Sequence, residues 1–431
     1  MKKIIITFLL TFLSFAFVFA QDIKILTLED AVSLSLQNNM SIKQSKMDLD
    51  LLALKDKYSW NSVSPSLSAN VNFTEPVAAF DQWTLTATGT LSLSITPSLA
   101  TSIASAKLAY ENGLLSYEAT VRSVEKNVRS AFYSLLNDLE TISSDKKTLD
   151  AAKRTYDANL IKYNRGQLDQ LTLLTSQYNY ESKIPTVAAD ETAYQTSLDS
   201  LKQVLGIDLS QQIEITGNLD DILHFELDPE ILNQNVDELP DVKKALQAIK
   251  NYEISIKGAK LSAYGPTVSL SYSQGFSSGI SIKTGNRENG LYSENHNITL
   301  GVRIPLDSYL PWSNSAISIE QAESGLEAAK LTLENTRTSV KMTIRNTYNS
   351  ILEAQTQLKL CEANLELMQK TYDLTLLAYN SGSKDLSVLQ TAADNLATAR
   401  RNIQRQKYII INSVLNLENV LGVPFGSFMK K

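Results

Sequence analysis

The residues most often used for catalysis or metal binding are scarce in this chain and lie far apart. Its 431 residues include one cysteine, Cys361, and two histidines, His224 and His296. A single thiol cannot form an intrachain disulfide, and within a helical pattern we expect it to be packed or exposed rather than catalytic. A metal site built from cysteine and histidine is close to excluded. We expect no metal and no cofactor.

Sequence motifs that carry enzymatic chemistry are also missing. The chain contains no P-loop and no H-E-x-x-H motif. Its carboxylates are scattered along helical patterns, where they are usually solvated or paired with a neighbour on the same helix face. The formal net charge is −6 and basic runs are missing, which gives no electrostatic footprint for nucleic acid. We therefore expect neither an enzyme nor a nucleic-acid-binding protein.

Small polar residues alternate with apolar residues in four segments of about ten residues. The segments are Pro65–Thr74, Trp83–Thr96, Pro266–Phe276 and His296–Leu306. Period-two alternation predicts strands with one apolar and one polar face, and this length is typical of transmembrane strands. The alternative is an ordinary half-buried sheet. The polar face is almost wholly serine, threonine and asparagine, which a water-filled lumen would accept, so we favour the transmembrane interpretation.

Aromatic and charged residues near these strands fit the same interpretation. All three tryptophans, Trp60, Trp83 and Trp312, flank the predicted strands, where an aromatic girdle at the membrane interface is expected. Arg303 belongs to the polar face of the fourth strand. It either lines the lumen or sits at the rim of the barrel.

Four strands from one chain cannot close a barrel. An open strand edge cannot face lipid, because its backbone polar groups would be left unpaired. Two chains would supply eight strands, whose interior only holds side chains, whereas three would supply twelve and leave a channel. The predicted strands therefore require an oligomer, and a channel favours three or more chains.

An internal repeat with a spacing of about 216 residues organises the rest of the sequence. Tyr163-Asn164-Arg165-Gly166 recurs as Tyr379-Asn380-Ser381-Gly382, and Leu205-Gly206-Ile207 recurs as Leu421-Gly422-Val423. Self-similarity at a constant offset indicates two copies of one structural unit. In each copy we expect a helix, two strands, a very long helix, a turn and a returning helix.

The predicted long helices carry apolar residues every seven positions. In the first copy these are Val121, Val128, Leu135, Ile142, Leu149, Tyr156 and Tyr163. In the second copy they are Ile344, Ile351, Leu358, Leu365, Tyr372 and Tyr379. A sustained heptad predicts helices packed side by side as coiled coils. We expect Pro185 to kink or interrupt the first returning helix.

The N-terminus has the organisation of a secretory signal peptide. Lys2 and Lys3 precede an apolar run from Ile4 to Phe19, and Ala20 fits a cleavage site before Gln21. The alternative is a membrane anchor, but the run of about 16 residues is short of the ~20 that a spanning helix needs. Export is therefore expected.

These features predict the following segments. They are a signal peptide at 1–20, a first repeat at 21–207 with strands at about 65–96 and a helix hairpin at 98–205, an irregular linker at 208–239, a second repeat at 240–425 with strands at about 266–306 and a hairpin at 314–421, and a C-terminal tail at 426–431.

The repeat, the exported N-terminus and the order of strands and long helices resemble the TolC family of outer-membrane efflux proteins, from about Thr27 to Phe425. The local marks are the opening Leu26-Thr27-Leu28-Glu29-Asp30-Ala31-Val32, the two Tyr-Asn-x-Gly turns and the Leu-Gly pairs that close each copy. The resemblance implies an α+β membrane protein. Each chain of a homotrimer would give four strands to a twelve-stranded barrel and long helices to a periplasmic coiled-coil tunnel.

The resemblance also implies a function and partners. Such a protein is the passive exit duct of a tripartite efflux pump or a type I secretion system. Its tunnel tip docks a periplasmic adaptor, also called a membrane fusion protein, which couples it to an inner-membrane transporter. The alternative is a periplasmic or surface coiled-coil structural protein without channel activity, which would explain the helices but not the strands.

By resemblance, the residues of the tunnel tip are those of the two turns. They are Tyr163, Asn164, Arg165, Gly166 and Asp169 in the first turn, and Tyr379, Asn380, Gly382, Lys384 and Asp385 in the second. Lys384 falls where relatives have a basic residue that helps to close the tip. Thr172 and Val388, or Ser387 with a shift of one, replace the acidic residues of the relatives. Asp169 and Asp385 either substitute for them or are simply solvated.

Overall fold

The computed structural model describes residues 24–74, 82–219, 227–281 and 293–428. The predicted signal peptide, His224, residues 75–81 and 282–292 between the predicted strands, and the last three residues of the tail lie outside this part of the chain. The described chain is mostly helical and carries a four-stranded sheet and a short pair of parallel strands.

Two very long helices dominate the described secondary structure. The helices are α1 (Leu28–Asn38), α2 (Met40–Lys57), α3 (Leu99–Asn164), α4 (Gln170–Glu181), α5 (Ile184–Leu205), α6 (Pro240–Tyr264), α7 (Asn314–Asn380) and α8 (Leu386–Leu421). The strands are β1 (Lys24–Leu26), β2 (Ser66–Thr74), β3 (Gln82–Ile95), β4 (Ile213–Ile215), β5 (Thr267–Ser281) and β6 (Ser293–Arg303). Single turns of 3₁₀-helix cover Ser59–Val63, Pro229–Asn233, Val236–Glu238 and Asp307–Tyr309.

The four-stranded sheet is antiparallel throughout, with strand order β2-β3-β5-β6. Its register places residues of like polarity in rows across the sheet. Leu67, Leu91, Tyr272 and Ile298 form one apolar row, and Ser66, Ser92, Ser271 and Thr299 form the neighbouring polar row. The alternation read from the sequence therefore persists across all four strands, and the sheet has one apolar and one polar face.

The apolar face is uncovered in the single chain. Leu67 is 81% exposed, Ile298 77% and Leu300 70%. Apolar side chains this exposed on neighbouring strands form a patch that a soluble monomer rarely leaves open to water. The edge strands β2 and β6 each pair on one side only within the described residues.

The last strand differs from its predicted bounds. The alternation predicts a strand over His296–Leu306, but β6 covers Ser293–Arg303, so Ile304 and Leu306 lie beyond it. The ladder stops where Arg303 pairs with Thr267, the first residue of β5, and Pro305 cannot donate to a further rung. At the other end the hairpin continues past the predicted strand ends, because β5 extends to Ser281.

The heptad positions of α3 and α7 are buried at mid-helix. Val128 and Leu135 of α3 and Ile351 of α7 are fully buried, whereas Tyr163 at the end of α3 is exposed. The seam predicted from the seven-residue repeat is therefore real, and it loosens toward the interhelical turns.

The two returning helices differ. The first is interrupted at Ser182 and Lys183, between α4 and α5, and Pro185 sits in the first turn of α5, where a missing backbone donor costs little. The second, α8, is continuous over 36 residues. The prediction of an interruption at Pro185 is confirmed.

The helix predicted before the first pair of strands is also interrupted. Asn39 separates α1 from α2, and its side chain accepts hydrogen bonds from the backbone N–H groups of Ser41 and Ile42. The Asn39 amide also donates to the carbonyl of Val204, at 2.7 Å. The side chain thus caps α2 and ties it to α5.

The parallel pair β1–β4 was not expected from the sequence. β1 lies immediately before α1, and β4 lies in the segment read as an irregular linker. Three-residue strands are too short for a periodic signal, and their pairing partners are far apart in sequence. Only the folded chain brings them together.

The described residues divide into two compact units. Unit one draws its residues from Met1–Lys43, Ala119–Gln234 and Met342–Lys431, and unit two from Gln44–Glu118 and Asn235–Lys341. Unit two contains the four-stranded sheet, and unit one contains both interhelical turns. The predicted division into repeats cuts the chain differently, and stays a prediction.

Candidate functional site: the paired interhelical turns

The two turns predicted to form the tip share one backbone geometry. Gly166 and Gly382 have φ values of +70° and +77°, in the left-handed region that favours glycine. The Gln167 N–H donates to the carbonyl of Lys162, and the Ser383 N–H donates to that of Ala378, each at 2.9 Å. Both long helices therefore end in the same glycine-dependent C-terminal motif.

The aspartates that follow the two turns act differently. Asp169 caps α4: its carboxylate accepts from the Thr172 N–H at 2.9 Å and from the Thr172 hydroxyl at 2.6 Å. These hydrogen bonds lower the pKa of Asp169 below its ordinary value. Asp385 precedes α8 with the same backbone angles but forms no side-chain cap. Val388 stands at the position that corresponds to Thr172, so no hydroxyl is available there to donate to the Asp385 carboxylate.

The remaining turn residues are open to solvent. Asn164, Arg165, Asn380 and Lys384 are exposed. Arg165 and Lys384 form no ion pair within the described part of the chain. Each turn therefore presents an unpaired cation and exposed amides, a surface on which hydrogen bonds to another molecule can form.

A buried hydrogen bond joins the two long helices just before the turns. The Tyr379 hydroxyl of α7 donates to Asn159 Oδ1 of α3 at 2.7 Å, and Asn159 is fully buried. Lys162 Nζ lies 5.2 Å from the centroid of the Tyr379 ring. Burial raises the pKa of Tyr379 above its ordinary value, which further favours the protonated hydroxyl that donates this hydrogen bond.

Sequence reasoning placed Tyr379 at the tip but missed Asn159. The available signal was its spacing. Asn159 lies three residues after Tyr156 and so occupies the second core position (d) of that heptad, where a buried polar side chain needs a hydrogen-bond partner.

Two ion pairs link the helix hairpins farther from the turns. Lys183 Nζ lies 3.0 Å from Asp394, and the Arg401 guanidinium lies 2.9 Å from both carboxylate oxygens of Asp145, which is 4% exposed. Asp190 lies beside Asp145. Burial, followed by this neighbouring carboxylate, raises the pKa of Asp190. None of these pairs is evident from the sequence, because their members are hundreds of residues apart or carry no motif.

The sheet carries the other predicted site residues. Arg303 pairs with Thr267 at the end of β6, on the same strand face as Thr299, and is exposed. Trp60 lies in the 3₁₀ turn before β2 and Trp312 just before α7, and both are more than half exposed. Trp83 lies in β3, opposite Ile280, but its side chain is outside the described part. These positions are compatible with the predicted lumen and girdle and do not test them.

No group of three or more histidine, cysteine or acidic side chains suited to a metal occurs in the described part of the chain. Among the described helices, none is long and apolar enough to cross a membrane.

Known proteins resemble most of this chain in sequence and in fold. The family model of outer membrane efflux proteins matches residues 31–207 and 231–423. The outer membrane protein TolC of Salmonella enteritidis is 23% identical over 285 residues, which cover 59% of this chain. They cover 54% of TolC, so the match spans about half the length of that curated relative.

Solved outer-membrane channels share the fold. The structure of CusC superimposes with a TM-score of 0.74 at 15% identity, covering 92% of each chain. The CmeC outer membrane channel of Campylobacter jejuni gives a TM-score of 0.70 at 20% identity, covering 93% of this chain and 86% of CmeC. The combination of a four-stranded sheet with paired long helices is thus the fold of these channels.

Proposed function

Because the chain belongs to the outer membrane efflux protein family, whose members are channel proteins of the outer membrane, we propose that it is one subunit of a homotrimeric exit duct. In this proposal the sheets of three copies close a twelve-stranded barrel in the outer membrane, and the long helices form a tunnel in the periplasm. In this proposal the duct is passive, as expected of a family of channel proteins.

The uncovered apolar face of the sheet carries this proposal. Leu67, Ile298 and Leu300 are largely exposed in the single chain, on the face opposite a layer of serine, threonine and asparagine. Lipid outside and water inside would solvate such a sheet correctly. The free edges of β2 and β6 then require other copies, since a lipid-facing edge leaves backbone groups unpaired.

An exposed apolar stripe on α7 supports assembly of the helices as well. Leu360, Leu367 and Leu374 follow one another at intervals of seven residues, and each is more than half exposed. Within the described residues this second heptad seam has no partner, and such a seam allows a helix to pack against a neighbouring subunit. The stripe therefore fits a closed ring of helices made from several copies.

The interhelical turns are the proposed docking surface for a periplasmic adaptor. Arg165, Lys384, Asn164 and Asn380 are exposed, and neither cation forms an ion pair within the described part of the chain, so these side chains can bind an adaptor. Tyr379 and Asn159 would hold the tip closed in this scheme, since Val388 and Thr172 cannot form an acidic ring. Whether the duct serves a tripartite pump or a type I secretion system depends on the inner-membrane transporter that the adaptor brings.

The decisive experiment combines planar-bilayer conductance with oligomer mass for the mature protein extracted in detergent. Discrete channels from a particle of three chains are expected. A water-soluble species without conductance would overturn the proposal and favour the coiled-coil structural protein. Trimers that conduct only when Tyr379 is changed to phenylalanine would support the trimer and locate the closure at the tip.

A further inference from the structure

A cavity of about 610 Å³ lies inside unit one, between α3, α4, α7 and α8. Its volume falls within the ~300–1,000 Å³ typical of sites for small organic ligands. The interruption between α4 and α5 opens onto it, since Lys183 is part of the lining. We call this cavity the basic groove.

The charged lining of the basic groove has one sign. It contains Lys147, Arg154, Lys183 and Arg400, and none of the described lining residues is acidic. Four cations around one cavity, in a chain whose net charge is −6, are a local reversal of charge. Such a groove attracts anions and repels cations.

Two of these four cations are neutralised by acidic partners and two are not. Lys183 and Arg154 each pair with an exposed aspartate outside the lining, at 3.0 and 2.9 Å. Lys147 forms no ion pair among the described residues, and Arg400 donates to the neutral amide of Gln369 at 2.9 Å. The groove thus keeps about two positive charges for a ligand.

The uncharged part of the lining mixes apolar, aromatic and polar side chains. Alanine and leucine side chains of α3, α7 and α8 form its apolar part, and Tyr372 and Tyr379 of α7 add two aromatic rings. Burial raises the pKa of Tyr372; the Arg154 and Arg400 guanidinium groups oppose that rise, and the nearby Asp373 carboxylate adds to it. Tyrosine rings in a lining that also carries guanidinium groups favour a flat or apolar body that carries an anionic group.

We propose that the basic groove is a binding site for an amphiphilic organic anion, with the carboxylate or sulfonate between Lys147 and Arg400 and the apolar body against Tyr372. An inorganic anion would leave the apolar lining empty, and a neutral or cationic amphiphile would leave the two charges unmatched. All residues that line the basic groove come from one chain, so this proposal does not depend on whether the protein conducts.

Binding of naphthalene-2-sulfonate to the assembled full-length mature protein in amphipol tests this inference, measured by titration calorimetry. The double variant Lys147→Gln/Arg400→Gln should weaken binding by roughly tenfold or more, because two charges are lost. Raising the salt concentration should weaken binding to the unmodified protein. Ala151→Leu, which fills the groove and keeps every charge, should abolish binding.

The matched control is Lys153→Gln/Arg405→Gln, which removes the same charge from the same two helices outside the groove and should leave affinity unchanged. Inorganic sulfate and naphthalene-2-methanol should each bind at least about tenfold more weakly than the sulfonate. Equal affinity of the control and groove variants would overturn the inference. So would equal binding of the neutral analogue, or no binding to the assembled protein, as expected if a neighbouring copy fills the groove.

Discussion

The hydrogen bond between Tyr379 and Asn159 is the clearest single contact between the long helices near the turns. Tyr379→Phe removes the donor and leaves the buried Asn159 without its 2.7 Å partner. Loss of such a bond is worth about 1–1.5 kcal/mol, or roughly a five- to tenfold shift of a closed–open equilibrium. We expect a matching rise in open probability in planar bilayers.

The control for this change is Tyr372→Phe. Tyr372 lies one heptad earlier in α7, is also half-buried, and its hydroxyl has no hydrogen-bond partner among the described residues. It should leave the conductance unchanged. If both variants conduct alike, the tip is held by something other than the Tyr379 hydroxyl.

Asp190 makes the stability of the hairpins depend on pH. Its pKa is raised in the folded chain by burial and by Asp145, so the folded state binds a proton more tightly than the unfolded state, whose aspartate titrates at about 3.9. Stability therefore falls as pH rises from that value through the folded pKa. Asp190→Asn should raise the melting temperature at pH 7 and flatten its decline over this window.

The neighbouring Glu191 supplies the control for the pH experiment. Glu191 pairs with Lys146 on the exposed surface, where an ion pair contributes little. Glu191→Gln should shift the melting temperature slightly and keep the pH dependence. A pH profile of Asp190→Asn identical to that of the unmodified protein would rule out Asp190 as its source.

At the scale of secondary-structure elements, two glycines that end helices test how tightly each terminus is packed. Gly382→Ala should cost only the strain of a left-handed alanine, about 1–2 kcal/mol, because nothing lies within 4 Å of the added Cβ. Gly206→Ala adds a clash, since its Cβ would lie 2.7 Å from the Asn38 carbonyl oxygen. Thermal unfolding in detergent should show a clearly larger loss for Gly206→Ala.

The reason for the difference is the element that each glycine faces. Gly206 ends α5 against the end of α1, whereas Gly382 ends α7 in solvent. Equal losses for both variants would mean that α1 moves freely away from α5, against the packing described above.

At the scale of the whole molecule, adjacent residues of β6 distinguish a lipid-facing from a lumen-facing side. Leu300→Arg would place a charge on the exposed apolar face, which costs about 2–4 kcal/mol near the middle of a membrane. Thr299→Arg places the same charge on the polar face. We expect Leu300→Arg to reduce the heat-modifiable oligomer in outer-membrane fractions and Thr299→Arg to leave its amount unchanged.

If the two arginine variants accumulate equally, the sheet does not face lipid, and the transmembrane proposal fails. A change in ion selectivity of the Thr299→Arg channel would additionally favour a lumen position for Arg303, which lies on the same face of β6.

Much of the architecture was predictable because it depends on local periodicity. The two-residue alternation identified all four strands of the sheet, and the seven-residue repeat from Val121 to Tyr163 and from Ile344 to Tyr379 identified the C-terminal two thirds of α3 and half of α7. Proline and glycine marked the interruption at Pro185 and the turns at Gly166 and Gly382, since these residues restrict or permit particular backbone angles.

The tertiary structure decided what periodicity cannot encode. The pairing of β1 with β4, the capping role of Asn39 and the contact of Asn159 with Tyr379 join residues that are distant in sequence. The basic groove likewise brings together four cations that come from three separate stretches of the chain. The sequence by itself determined which elements form and which of their faces are apolar, because those properties are local. Which side chains meet across elements was decided only by packing, because burial requires each polar group to find a partner wherever the fold places one.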